Sequence, residues 1–296
     1  MRSKKWRNAL SPILSTVILT SVMLIVALTV MAFANNVFSI QSDTTEFDQA
    51  KNIIVNFAGI VDDVATKEGS SGYVRFNTRS GGPYFSTHVG TIEAKAVVFG
   101  NPDLPLVVGF TNLFKYKAGA YASVPEKVIL SGVDKSIILN NEAPLGEVYI
   151  EQKGGAWVVL NFTRIGVLNL GTFNFTQGYF MNGSSIGYKL VNIIQVSYVN
   201  ITLGSLWSGS GSMNSVATCK NISTIYKWIS SPQPIGADKD YVITFEVYLN
   251  SQLSQPVQPV TVKGFDLKYI NKDGQHLGID TMIVIVNSNV EINTVG

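Results

Sequence analysis

The chain has 296 residues, of which 46% are hydrophobic and only 14% are charged. Its net charge of +2 is unevenly placed, because Arg2, Lys4, Lys5 and Arg7 precede any acidic residue and the remainder is slightly acidic. This distribution argues against nucleic-acid binding by the body of the protein. One cysteine excludes an intramolecular disulfide and a cysteine-based zinc site, and two histidines leave a multi-histidine centre without ligands. We therefore expect neither a metal ion nor a cofactor.

An apolar segment directly follows the basic N-terminal cluster. The residues from Asn8 to Ser42 include no charged side chain, and those from Ile13 to Ala34 are mostly aliphatic. About 20 such residues suffice to cross the hydrocarbon core of a bilayer, and a preceding basic cluster favours the cytoplasmic side. The pattern predicts one membrane span with the C-terminal bulk of the chain outside the cell.

Three fates remain open for this segment. Ala32-Phe33-Ala34 fits the small-x-small rule for secretory cleavage before Asn35. The segment could also stay in place as an uncleaved anchor. In the third fate only the basic leader is removed, and the apolar segment becomes the start of the mature chain.

The residues around Leu10 favour the third fate. The run from Arg7 to Leu19, RNALSPILSTVIL, resembles the class III signal peptide of archaeal type IV pilins and archaellins. In that family a membrane prepilin peptidase removes a short basic leader that ends in Ala or Gly. The resemblance implies a leader over residues 1–9 and a processing site formed by Arg7, Ala9 and Leu10, with Leu10 as the new N-terminus.

The resemblance also implies that the hydrophobic helix drives assembly into a filament. Such a helix needs either lipid or other copies of itself to cover it. Pro12 would lie in the first helical turn, where its missing N–H is not needed. Leu14 takes the mature position at which bacterial pilins carry Glu, which departs from the bacterial pattern and agrees with the archaeal one. The predicted membrane and assembly residues are Ser11, Pro12, Ile13, Leu14, Val17 and Ile18.

The helix is predicted to continue as an amphipathic segment. Apolar residues recur at spacings of three and four, namely Phe47, Ala50, Ile54, Phe57, Val61 and Val64. The charged residues are expected largely off this stripe: Asp43, Glu46, Asp48, Lys51, Asp62 and Asp63. We predict one helical region over 10–67, with its first half protruding and its second half docked on a globular head. A separate anchor followed by a short amphipathic helix is the alternative.

The rest of the chain is predicted to be β structure. Short runs rich in Val, Ile, Tyr, Phe and Thr alternate with Gly, Pro, Asn and Ser, without helical crossovers. They include Thr91–Phe99, Leu106–Thr111 and Gly278–Val286. The fold class is therefore mainly β, with one or two β-sandwich-like domains carried on the long helix. Lys153-Gly154-Gly155 is either a hairpin turn or the boundary between two β-rich regions, 70–152 and 153–296.

Five N-x-S/T sequons lie in the second half of the chain, where an Asn- and Ser/Thr-rich composition could also produce them by chance. The candidate N-glycosylation sites are Asn161, Asn174, Asn182, Asn200 and Asn221.

No catalytic constellation is legible in the sequence. His88 and His276 are not near a G-x-S-x-G motif, and no phosphate-binding loop or dinucleotide fingerprint is present. The adjacent Asp62 and Asp63 would point to different helix faces, so shared acid–base work is not expected. We expect a protein that is not an enzyme.

The sequence thus predicts a pilin-like or pseudopilin subunit of an archaeal type IV filament or cell-surface structure. Its expected partners are the membrane, a prepilin peptidase and other pilin subunits, the last through the N-terminal helix. The alternative is a monomeric, membrane-anchored extracellular β-sandwich that serves as a binding or adhesion module.

Overall fold

The computed structural model describes residues 4–98, 104–132, 138–140, 144–176, 188–207, 211–230, 242–251, 260–266, 268–270 and 276–296. One helix, α1 (Lys4–Val64), precedes all of the strands in these ranges. The strands are β1 (Ser71–Thr78), β2 (Gly82–Val98), β3 (Leu104–Lys117), β4 (Val128–Ser131), β5 (Ile138–Asn140), β6 (Glu147–Gln152), β7 (Ala156–Asn161), β8 (Ile165–Thr176), β9 (Tyr188–Leu203), β10 (Gly211–Ile229), β11 (Val242–Ser251), β12 (Val260–Asp266), β13 (Lys268–Ile270), β14 (His276–Gly278) and β15 (Asp280–Val295).

α1 is one continuous helix of 61 residues, about 90 Å long at 1.5 Å per residue. This confirms the long N-terminal helix and rules out the alternative of a separate anchor and a short second helix. α1 begins at Lys4 rather than near Ser11, so residues 4–9 of the predicted leader are helical as well. Pro12 therefore lies inside the helix, where its nitrogen has no hydrogen to donate to the carbonyl four residues earlier.

The head consists mainly of two β-sheets, which confirms the predicted β-rich fold. Sheet A has the strand order β1-β10-β15-β9-β8-β5, and sheet B has the order β12-β11-β2-β3-β7-β6-β4. β13 and β14 form a separate two-stranded pair. Antiparallel pairs dominate both sheets, but β9 and β15 run parallel in the middle of sheet A, as β5 and β8 do at its edge.

Lys153-Gly154-Gly155 forms the turn of the β6–β7 hairpin. Gln152 lies opposite Ala156, and the Lys153 N–H donates to the Gly155 carbonyl at 2.9 Å. Gly154 and Gly155 both have positive φ, 64° and 135°, which a glycine adopts without strain. Strands from both sides of this turn pair with one another, since β2 pairs with β11 and β1 with β10.

Three strands extend well beyond their predicted bounds: β2, β3 and β15. In β15 the extension is rich in asparagine, a residue that disfavours strands. Its amides are satisfied across the sheet instead: Asn200 Nδ2 donates to Asn289 Oδ1 at 2.8 Å, and Asn289 Nδ2 donates to Asn221 Oδ1 at 2.6 Å. These cross-strand amide bonds stabilise a segment that its composition marks as a loop.

The head has two hydrophobic clusters. The first joins the C-terminal half of α1 to both sheets and includes Ile54, Phe57, Phe76, Phe114 and Leu160. The second lies between the sheets without any α1 residue and includes Ile92, Ile194, Ile243, Phe245 and Ile283. β3, β9, β10 and β15 contribute buried side chains to both clusters, so these strands connect the helix-bearing part of the head to the rest.

Candidate functional site

The N-terminal half of α1 is apolar and uncovered. Every residue from Leu14 to Gln41 is exposed except Ala34, which is half-buried. Leu14, Val17 and Ile18 are 63%, 57% and 56% exposed. Within the described part of the chain, α1 is the one helix long and apolar enough to cross a membrane. The predicted long apolar helix is therefore present and is compatible with one membrane span, and the head does not cover it.

The residues predicted for processing lie at the N-terminal end of this half. Arg7, Ala9 and Leu10 are helical, as are Ser11, Pro12 and Ile13, and the side chains of all six lie outside the described residues. The structure places them on one continuous helix with Leu14, Val17 and Ile18.

Hydroxyl groups in the exposed half bond to the helix itself. Thr20 Oγ1 donates to the Thr16 carbonyl at 2.9 Å, Ser21 Oγ to Val17 at 2.8 Å, and Thr29 Oγ1 to Ile25 at 2.8 Å. A hydroxyl satisfied in this way does not need water, so it can lie in lipid or against another helix at little cost. This half of α1 therefore suits either environment.

The C-terminal half of α1 is docked on the head as predicted. Every residue of the predicted stripe is buried: Phe47, Ala50, Ile54, Phe57, Val61 and Val64. The Phe57 ring lies 5.5 Å from the Phe114 ring on β3, and both side chains are fully buried. The change from exposed to buried occurs within one turn, at Ser42 and Asp43.

Glu46 bonds the helix to the head at this point. Its carboxylate accepts the Tyr116 hydroxyl at 2.6 Å. It also accepts the backbone N–H groups of Arg79 at 3.1 Å, Ser80 at 3.0 Å and Gly81 at 2.9 Å. Those three residues form the turn between β1 and β2, so one side chain bonds α1 both to that turn and to β3.

Asp43 makes a second set of bonds one turn earlier. It is 7% exposed and accepts the Ser80 hydroxyl at 2.6 Å and the Tyr121 N–H at 3.2 Å. Gly119 packs so closely against the Asp43 carboxylate that no Cβ would fit without a shift. We call Asp43, Glu46 and the groups that donate to them the junction clamp.

The junction clamp favours the ionised form of Glu46. Partial burial acts to raise the pKa of Glu46, but the hydrogen bonds from Tyr116, Gly81, Ser80 and Arg79 hold it below its usual value of 4.5. Burial raises the pKa of Tyr116 well above its usual range, and the Glu46 hydrogen bond and charge add to that effect. Tyr116 therefore stays protonated and donates to a charged acceptor.

The prediction that the charged residues lie largely off the inward stripe is wrong for Asp43 and Glu46. Asp43 lies four residues before Phe47, and Glu46 lies four before Ala50. Residues four apart share a helix face, so this spacing was a usable signal. The amphipathic pattern hid it because polar residues are assumed to face water.

A cavity of about 310 Å³ lies at the other end of the docked half. Asp62, Thr66, Gln195, Ser197 and Ser288 are its polar lining residues. Burial raises the pKa of Asp62 to about 6, although N–H groups of Gly146 and Leu145 bond to its carboxylate and oppose the rise. Among the described residues no three His, Cys, Asp or Glu side chains come together as metal ligands.

The candidate glycosylation sites differ in their surroundings. Asn174 on β8 and Asn221 on β10 are exposed, whereas Asn161 and Asn200 are half-buried. Asn200 uses its Nδ2, the atom that would carry a glycan, to donate to Asn289. Asn161 Oδ1 accepts the Thr163 N–H at 2.9 Å in a local turn, and Asn182 lies outside the described residues.

The two histidines lie on different strands. His88 is exposed in a bulge of β2 with φ of 53°, its N–H donates to Asn112 Oδ1 at 2.9 Å, and its ring lies against Phe110. His276 lies on β14, and its side chain is outside the described residues. Among the contacts described, His88 has no hydrogen bond to a carboxylate.

No protein-family profile, no curated protein and no solved structure matches this chain. The exposed half of α1 and the junction clamp are therefore the features from which its function has to be inferred.

Proposed function

We propose that this chain is a pilin-like or pseudopilin subunit of an archaeal type IV filament or related cell-surface structure, and that it assembles through α1. The observation that carries this proposal is the uncovered apolar half of α1, joined without a break to a half docked on a β-rich head. An apolar rod of this kind requires lipid or copies of itself. In the proposal the membrane holds the subunit first, and other subunits replace the lipid on assembly.

Pro12 supports processing between Ala9 and Leu10. In the full chain Pro12 lies inside α1, where it lacks the N–H of a helical hydrogen bond. Removal of residues 1–9 by a prepilin peptidase would place Pro12 in the first turn, where a proline is favoured because that N–H has no partner. The class III-like run from Arg7 to Leu19 would thus produce a well-formed helix start at Leu10.

The junction clamp supports an assembly role because a filament requires each head to lie at a fixed angle to its helix. Asp43 and Glu46 bond α1 to the β1–β2 turn, to β3 and to Tyr121. The chain between the apolar half and the head is helical throughout, without a flexible linker. In this proposal the head faces the outside of the cell, and the exposed Asn174 and Asn221 are the sequons proposed to carry glycans.

Mass spectrometry of the native protein tests the proposal. We expect a mature N-terminus at Leu10, together with surface filaments that contain the protein under the electron microscope. An N-terminus at Asn35 would contradict the proposal, because most of the apolar half would be lost. An intact α1 without filaments would favour the alternative, a monomeric membrane-anchored binding or adhesion module.

A matched pair of Ala→Trp variants tests the processing site. Ala9→Trp places a bulky residue beside the proposed scissile bond and should block removal of the leader. Ala27→Trp makes the same change in the exposed half of α1, away from the cleavage site, and should leave processing intact. Equal processing of both variants would show that Ala9 is not the last leader residue.

A further inference from the structure

The end of the head from which α1 emerges carries three exposed cations. Arg79 lies in the turn between β1 and β2, Lys117 ends β3, and Lys153 lies in the β6–β7 turn. We call Arg79, Lys117 and Lys153 the base surface.

Strand pairing places these three residues at the level of the junction clamp. Lys117 lies opposite Gly82 on one side and Trp157 on the other. The next residue, Ala118, donates its N–H to the Ala156 carbonyl at 2.9 Å, which brings the end of β3 to the β6–β7 turn. The Arg79 N–H donates to Glu46, so the same end of sheet B meets α1 where the helix leaves the head.

The formal charges named at this end balance among the described residues, but the basic side chains are the more exposed ones. The acidic groups of this end are Asp43 and Glu46, both bonded within the junction clamp, and Glu151, which pairs with Lys115 at 3.4 Å. Glu126 is an exposed carboxylate at this end: the N–H of Val124, two residues earlier, donates to Gln152 Oε1 at the end of β6. The three cations of the base surface therefore exceed the exposed negative charge.

Aromatic side chains flank the base surface. The Lys117 Nζ lies 5.7 Å from the centre of the Trp157 ring, and Tyr84 packs edge-on against that ring at 5.7 Å. Tyr121, which follows the same strand end, is 53% exposed. Trp and Tyr next to Lys and Arg are the residues that proteins place at the boundary between lipid and water.

The length of α1 sets how far the base surface lies from a bilayer. The apolar segment ends at Ala34, and the head first covers the helix at Ser42. Eight residues of helix span about 12 Å. The headgroup layer of one leaflet is about 5–8 Å thick, and charges interact over a further Debye length of about 8 Å at physiological salt. The base surface is therefore within electrostatic reach of the headgroups.

We propose that in the membrane-inserted subunit the base surface rests on anionic lipid headgroups, with Arg79, Lys117 and Lys153 bound to their phosphate groups. Guanidinium and ammonium groups bind phosphate oxygens through charge-assisted hydrogen bonds. The contact would hold the head against the bilayer until other subunits replace the lipid. This inference depends on the membrane insertion of α1 that the proposed function includes.

Amine-labelling mass spectrometry on the full chain in lipid nanodiscs tests the inference. One preparation contains phosphatidylcholine alone, and the other contains phosphatidylcholine mixed with phosphatidylglycerol. We expect acetylation of Lys117 and Lys153 to be about fivefold slower in the anionic nanodiscs, which is the effect of one charge contact of this kind. The difference should shrink as salt is added.

Lys67 provides the matched control because it is exposed and lies beyond the end of α1. That end, Val64, is about 33 Å along the helix from Ser42. Acetylation of Lys67 should be the same in both lipids. If Lys117 and Lys153 were each acetylated at the same rate in both lipids, or if salt left their protection unchanged, the inference would be overturned. Membrane insertion would not be contradicted by either result. Failure of the chain to co-migrate with nanodiscs would instead contradict membrane insertion itself, and with it the proposed function.

Discussion

The Tyr116 hydroxyl donates to the Glu46 carboxylate at 2.6 Å, joining α1 to β3 where the helix enters the head. Tyr116 is 1% exposed, and its ring stacks on Phe76 at 5.4 Å, so the donor has little freedom to turn away. Glu46 lies on α1, which continues without a break into the exposed apolar half. The bond therefore transmits the orientation of the head directly to the part of α1 proposed to assemble.

Tyr116→Phe removes this donor and leaves the packing of the ring in place. We expect the free energy of unfolding to fall by about 1.5–3 kcal/mol, the range for a hydrogen bond to a charged group. Glu46 keeps its three backbone donors, so the variant should still fold. Urea unfolding of the full chain in detergent micelles measures the change. Tyr73→Phe is the control, since Tyr73 is 66% exposed and should shift nothing; equal effects would show that the bond adds no stability.

Asp62→Asn should stabilise the protein at neutral pH. The pKa of Asp62 is raised from 3.8 to about 6 mainly by burial, so the folded state binds more protons than the unfolded state between these values. Stability therefore falls as pH rises through this window and stays low above it. We expect the variant to gain about 1–2 kcal/mol in free energy of unfolding at about pH 7.5 and nothing below about pH 4.

Thermal unfolding of wild type and Asp62→Asn across this pH range measures the effect, with Glu93→Gln as the control because Glu93 is exposed on β2 and does not contribute to the shift of Asp62. An increase in the stability of wild type relative to Asp62→Asn between about pH 4 and about pH 6 would contradict the predicted direction.

The pH dependence that Glu46 contributes has the opposite direction. The pKa of Glu46 is lowered, so its contribution to stability is present above its unfolded-state pKa and is lost as the pH falls through its folded-state pKa. Glu46→Gln should remove that acid-dependent loss.

Gly119→Ala should loosen the junction clamp. A Cβ at this position would press on the Asp43 carboxylate and the Ser80 hydroxyl, which bond to each other. We expect a loss of about 1–3 kcal/mol in free energy of unfolding, the usual cost of overpacking. Gly59→Ala is the matched control, because Gly59 is exposed on α1 and a Cβ added there would have nothing within 4 Å. Alanine there should raise stability by about 0.5–1 kcal/mol through helix propensity.

Hydrophobic periodicity was sufficient to predict the whole docked stripe, and runs of β-branched and aromatic residues between Gly, Pro, Asn and Ser predicted the β-rich head. The local sequence pattern missed the inward carboxylates: the spacing of Asp43 and Glu46 marks the docked face, but the donors that satisfy them come from the β1–β2 turn, β3 and the loop that follows β3, which are distant in sequence. It also failed for the end of β15, where Asn289 bonds to Asn200 and Asn221 on neighbouring strands. In both cases the partner of a polar group depends on tertiary structure, which local composition does not encode.

Ile18→Ala and Ile54→Ala make the same change in the two halves of α1 and should have opposite consequences. Ile54 is fully buried in the first hydrophobic cluster, so its truncation should lower the free energy of unfolding of the head by about 2–5 kcal/mol. Ile18 is 56% exposed and touches neither cluster, so its truncation should leave that free energy unchanged.

Adding Leu14→Ala to Ile18→Ala should reduce filament formation, because both side chains lie on the uncovered surface proposed to pack between subunits. Urea unfolding in micelles and filament counts by electron microscopy separate the two effects. A loss of head stability in the Ile18→Ala variant would contradict the division of α1 into a free and a docked half, and normal filaments in the double variant would contradict assembly through this end of the helix.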